Sequence, residues 1–151
     1  MQHTFYEYKQ IPQLSKRDVA YQEGDPRLKE FINFNFDYNQ FSNVIEARKS
    51  FPVNRDLLVN QLSKKYSGVK DNELVLKNIE KLNKQNCFTV ITAHQPSLFT
   101  GPFYFILKIA STIHLAKKLT EDFDVDVVPV FILGGEDHDF DEINKTSIFS
   151  K

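Results

Sequence analysis

Two short polar clusters in this chain carry side chains capable of chemistry. The first is Ala93-His94-Gln95-Pro96-Ser97-Leu98-Phe99-Thr100-Gly101-Pro102, which sets an imidazole, a carboxamide, hydroxyls and a glycine between two apolar runs. The second is Gly134-Gly135-Glu136-Asp137-His138-Asp139, with three carboxylates and an imidazole in four residues. An imidazole beside carboxylates holds its proton to higher pH, which suits proton transfer, so His138 and Asp137 are the candidate catalytic pair. Glu136 and Asp139 supply further acceptors, either for a cation or for the hydroxyl and amino groups of a substrate. The plainer reading of this cluster is a solvated turn. Asp141 and Glu142 beyond it read as surface or cap residues.

The first cluster lies where an apolar run gives way to a helical pattern. A loop that opens a helix brings free backbone N–H groups and the positive helix end to one point, and that suits phosphate or carboxylate. His94 and Thr100 are candidate donors there, with Gln95 and Gly101 completing the binding loop. The loop has no Gly-Lys-Ser/Thr and no G-x-G-x-x-G, so it is neither a P-loop nor a dinucleotide fingerprint. A tight turn with His94 merely hydrogen-bonded is the alternative. Lys108 interrupts the run FYFIL-KIA. It is either a buried cation facing the loops or a side chain that snorkels past the sheet edge.

The elements that must position these clusters follow from periodicity. Cys87 to Thr92 is short, apolar and β-branched, as a buried parallel strand requires. Cys87 at its start reads as a packed side chain, since no partner base is identifiable. Phe103 to Leu119 predicts a helix, apolar nearly all round at first and therefore buried on most sides. Thr100 or Gly101 is its expected N-cap, with Pro102 in the first turn. Asp126 to Leu133 is a second apolar strand, in which Pro129 leaves one edge unpaired or bulged. Thr146 to Phe149 begins a possible third. The stretch from Phe88 to Asn144 is thus a βαβ unit, and both polar clusters follow the carboxyl end of a strand, where open α/β sheets bind ligands.

Residues 1–85 read as mostly helical packaging for a core that starts at residue 86. Leu14 to Gln22 is a short helix, broken by Gly24-Asp25-Pro26. A helix capped by Asp37 or Asn39 runs to Lys49, burying Phe41, Val44 and Ile45. Asn54 caps Arg55 to Tyr66, with Leu58, Leu62 and Tyr66 on one face. Asp71 caps a helix to about Asn83, with Leu76, Ile79 and Leu82 in helical spacing. Two or three parallel strands do not make an independently stable sheet, so the sequence predicts a core that continues beyond residue 151.

Bulk properties narrow the function. The 151 residues are 41% hydrophobic and 26% charged, an ordinary globular balance. Nineteen basic and twenty acidic residues give a formal charge of −1, hence no bulk attraction to nucleic acid or anionic lipid. There is no run of eighteen apolar residues, and MQHTFYEYKQ lacks the layout of a secretory signal. A single cysteine fits a reducing compartment, and the cytoplasm is the expected location.

The segments VITAHQPSLFTGPFYFILKIASTIHLAKKL and VVPVFILGGEDHDFDEIN resemble the bacillithiol biosynthesis cysteine-adding enzymes, the BshC family. The resemblance implies an α/β, Rossmann-like parallel sheet similar to that of nucleotidyltransferases, incomplete in this stretch. It also implies a later coiled coil that forms a homodimer. The implied reaction is a ligation: cysteine is joined through its carboxyl to the glucosamine amine of glucosaminyl malate. Amide formation in water needs an activated carboxylate, which makes ATP the implied cofactor. By analogy of position with the nucleotide-binding loop of class I synthetases, the His94 loop would hold phosphates. Two other classes remain open from the residues alone. One is a metal-dependent hydrolase using Glu136 to Asp139 with His94; the other is a non-catalytic assembly module.

Overall fold

The computed structural model of the chain describes residues 4–35, 37–136 and 140–145. They fall into two compact units, Met1–Phe51 and Pro52–Lys151.

In the first unit, α1 (Lys16–Gln22) opens on a capping box. The Ser15 hydroxyl accepts from the Asp18 amide, and the Asp18 carboxylate accepts from the Ser15 amide. The following turn, Pro26–Leu28, is capped by Asp25, which also accepts from the Arg27 guanidinium at 2.6 Å. Those bonds hold the Asp25 carboxyl down to about 2. Asp37 caps a 3-10 turn, Tyr38–Gln40, that feeds directly into α2 (Phe41–Lys49). Phe41, Val44 and Ile45 form its half-buried face, as their spacing predicts.

The second unit begins with α3 (Arg55–Tyr66), where Asn54 accepts from the Leu57 amide. Its inward face is Arg55, Val59, Leu62 and Tyr66, whereas Leu58 is 38% exposed. The expected face is turned by one residue because Arg55 points inward, for a reason described below. In α4 (Glu73–Lys81), the expected cap is also displaced. Asp71 takes a left-handed φ of 53°, and Asn72 becomes the N-cap while its side-chain amide donates to the Tyr66 carbonyl. Ile79 and Leu82 are buried as the helical spacing predicts.

Next come β1 (Cys87–His94), α5 (Phe103–Phe123), β2 (Asp126–Leu133) and a last turn of helix, α6 (Phe140–Ile143). The strands pair in parallel, in an unbroken register from Cys87 with Asp126 to His94 with Leu133. The expected third strand at Thr146 to Phe149 lies outside the described residues. Leu82, Cys87 and Val128 form a core on one face of the strands, with Val59, Leu62 and Val130 around it. On the other face, the Phe105 and Phe131 rings meet at 5.0 Å. Cys87 is a packed side chain, 2% exposed, and burial pushes its thiol up.

Pro129 does not bulge this ladder. Asp126 donates to Asn86 and Gly134 donates to His94, so the even-numbered amides of β2 face β1. The odd-numbered positions face away, and Pro129, which has no N–H, is one of them. The Val127 amide on that same outer side donates to the Thr120 hydroxyl of α5.

Helix α5 is less covered than its composition predicts. Thr112, Ala116 and Leu119 are buried, while Phe103, Ile106, Leu107 and Ile113 are about half exposed or more. The reason is geometric: two strands present a surface roughly 10 Å wide, which reaches only one side of a helix. No helix among the described residues is long and apolar enough to cross a membrane.

Candidate functional site

The carboxyl ends of β1 and β2 lie side by side, and the two polar loops leave from there. His94 is the last residue of β1, and its carbonyl accepts from the Gly134 amide at 2.9 Å. The loop after β1 and the loop after β2 are therefore joined at their roots. Gly135 turns back on Leu133, its amide 3.0 Å from that carbonyl, and Glu136 is exposed. Asp137, His138 and Asp139 lie outside the described residues, so the expected acid–base pair has no geometry to report.

His94 is half-buried and engaged at both ring nitrogens. Nδ1 is 2.9 Å from the Gln95 carbonyl, and Nε2 is 2.7 Å from the Tyr104 hydroxyl. The ring also meets Phe105 edge-on at 5.3 Å. Tyr104 stands in the first turn of α5 and does not stand out in the sequence. Its only signal there is a phenol among the apolar residues that open a helix directly after a polar loop.

The loop between β1 and α5 is strained. Phe99, Thr100 and Gly101 all have positive φ, at 50°, 69° and 67°. This is rare for any residue but glycine, and most so for a β-branched threonine. At Gly101 a Cβ would come within 2.7 Å of the Ser97 Cβ, so a side chain there displaces the turn. The strain also moves the helix start. Pro102, at φ −69° and ψ 153°, is the N-cap, and neither Thr100 nor Gly101 takes that place. The Thr100 hydroxyl donates instead to the Phe99 carbonyl.

Lys108 is exposed, not buried. Its ammonium lies 5.4 Å from the centre of the Tyr104 ring and 3.3 Å from the Ala93 carbonyl, at the mouth of the same loop. The amides of Phe103 and Tyr104, in the first turn of α5, have no intrahelical acceptor. The structure thus brings His94, Tyr104, Lys108 and these amides together, with Gln95 and Gly101 shaping the loop beneath them. Within this set, Lys108 and the backbone N–H groups are donors of a kind that fits an anionic, phosphate-bearing ligand.

An α/β unit of this kind, with loops gathered at the carboxyl ends of parallel strands, is the ligand-binding end of a Rossmann-like domain. The family model described as the N-terminal Rossmann-like domain of the bacillithiol biosynthesis protein BshC matches residues 1–151, and the chain belongs to that family. A relative from Flavobacterium psychrophilum named "Putative cysteine ligase BshC" is 40% identical over 141 residues, covering 91% of this chain and 27% of the relative. The protein of the same name from Cytophaga hutchinsonii is 38% identical over 140 residues, with 92% and 27% covered. One from Bacillus thuringiensis is 34% identical over 128 residues, with 85% and 24% covered. The chain spans about a quarter of the length of these relatives.

Proposed function

We propose that this chain is part of a ligase that joins cysteine, through its carboxyl, to the amine of glucosaminyl malate in bacillithiol biosynthesis. The observation that carries the reading is the similarity, over most of this chain, to relatives named as cysteine ligases. ATP is the activating cofactor in this reading, because a phosphoryl or nucleotidyl group transferred from it to the cysteine carboxylate would be the leaving group that the amine displaces. Lys108 and the first-turn amides of α5 bind its phosphates, and Gly101 keeps the loop clear for their approach. Thr100 and Gln95 hold the loop's shape. In the second loop, Glu136 and Asp139 bind the polar groups of the sugar or of cysteine. Asp137 and His138 accept the proton that the attacking amine must lose. The protein works in the cytoplasm, as a homodimer formed through a coiled coil outside residues 1–151.

The test is to incubate the complete protein with ATP, cysteine and glucosaminyl malate and to look for the thiol product by mass spectrometry. A folded protein that yields no product with all three present removes the proposal. Identifying the nucleotide released, ADP or AMP, tells which activated carboxylate forms.

A further inference from the structure

The bonding of His94 says what kind of group it can bind. A backbone carbonyl only accepts, so Nδ1, 2.9 Å from the Gln95 oxygen, carries a proton in either charge state of the ring. In the neutral ring Nε2 then has the lone pair, and the Tyr104 hydroxyl 2.7 Å away donates to it. An ionised phosphate oxygen only accepts and cannot take the place of that hydroxyl against a lone pair. A group that replaces Tyr104 must itself donate, as a hydroxyl or an amine does.

We propose that His94 binds a donor group of the amine-bearing substrate at Nε2, which the Gln95 carbonyl keeps an acceptor, and that Tyr104 is a positioning residue that holds the ring in place until this group arrives. The anion-binding work then falls to Lys108 and the α5 amides, one turn away. The two sides of the loop thus divide the ligands by hydrogen-bond polarity. The identity of the donor substrate, an amino sugar, rests on the ligase reading above; the polarity of the site does not.

The experiment is 15N NMR of the complete protein labelled at histidine, at a pH where the ring is neutral. The expected wild-type spectrum has a protonated Nδ1 and an unprotonated Nε2 for His94, and Tyr104→Phe is expected to keep this tautomer while the Nε2 resonance moves with the loss of its donor. Free glucosamine is expected to move the Nε2 resonance, and sulfate, whose oxygens only accept, is expected to leave it in place. A protonated Nε2 with a bare Nδ1, or a shift of the Nε2 resonance on adding sulfate, overturns the polarity of the site, and no response to saturating glucosamine overturns the amino sugar as its ligand. The tautomer and sulfate readouts stand whether or not the protein proves to be a ligase. If it is one, His94→Ala raises the KM for the amine substrate about tenfold, and Tyr104→Phe lowers kcat about three- to tenfold. The KM for ATP stays within about twofold in both variants. A shift confined to the ATP KM overturns the assignment.

Discussion

The two ends of the β1–β2 ladder are built to different rules. At the amino end, the backbone groups that strand geometry would leave open are taken by side chains. The Arg55 guanidinium donates to the carbonyls of Leu82, Gln85 and Cys87 at 2.8, 3.4 and 3.1 Å. Asp126 pairs with Lys84 at 2.7 Å and Lys81 at 3.6 Å, and the Asn86 side-chain amide donates to the Asp124 carbonyl. At the carboxyl end, the loop holds three successive positive φ angles, His94 and Tyr104 bond to each other, and Lys108 is exposed. One end commits its charged groups to ion pairs and backbone carbonyls, and the other holds a strained loop and an exposed cation. Substitutions at the two ends are therefore expected to separate stability from binding.

The largest effect is expected at the closed end. Leu82→Ala removes a side chain that is 5% exposed and shared by α4 and the sheet, and is expected to cost about 3 kcal/mol in a urea denaturation series. Arg55→Ala leaves three carbonyls without their donor and is expected to cost about 2 kcal/mol by the same measurement. Loss of less than about 0.5 kcal/mol in either would erase the contrast, because it would make that end as tolerant as the other. Lys108→Ala reverses the pattern. Its stability should stay within about 0.5 kcal/mol of wild type, while ATP binding to the complete protein, followed by calorimetry, weakens about tenfold.

A smaller effect separates the ends by pH. The hydrogen bond from Lys84, then the charges of Lys84 and Lys81, hold the Asp126 carboxyl below its ordinary 3.8. A carboxyl depressed on folding stabilises the fold above its unfolded value and ceases to as pH falls through the folded one. Stability should thus fall as pH drops below about 4, and Asp126→Asn should flatten that part of the curve. An unchanged acid limb in Asp126→Asn would show the pair to be too solvated to matter.

The secondary structure was largely legible because periodicity and capping act locally. Arg55 to Tyr66, the strand from Cys87 and the strand Asp126 to Leu133 appear where apolar spacing and Asn54 put them. Helix α5 runs to Phe123, past the predicted Leu119, since its last turn carries no breaker before Asp124 takes a left-handed φ of 50°. What sequence could not supply were choices made by distant partners. Val59 in place of Leu58 faces inward because Arg55 reaches carbonyls 27 to 32 positions away. Pro102 caps α5 because Phe99 and Thr100 are left-handed, a strain that no propensity scale favours. In the candidate site, the loops and their place on the strands were readable. The link from His94 to Tyr104 was not, because it depends on how two side chains turn across the gap between β1 and α5.

The parallel ladder has a consequence for the order in which the protein is made. Cys87 pairs with Asp126, 39 positions on, and every other residue of β1 waits for a partner at the same remove. At roughly 5–20 residues per second, β1 leaves the ribosome several seconds before β2 follows. The acceptors of Arg55 have all emerged by Cys87, so its bonds can form while the sheet is still one strand wide, whereas the pairs of Lys81 and Lys84 wait for Asp126. The bond that joins the two loops forms only when Gly134 reaches His94. A chain stalled before Gly134 would be able to hold the Arg55 bonds without that link.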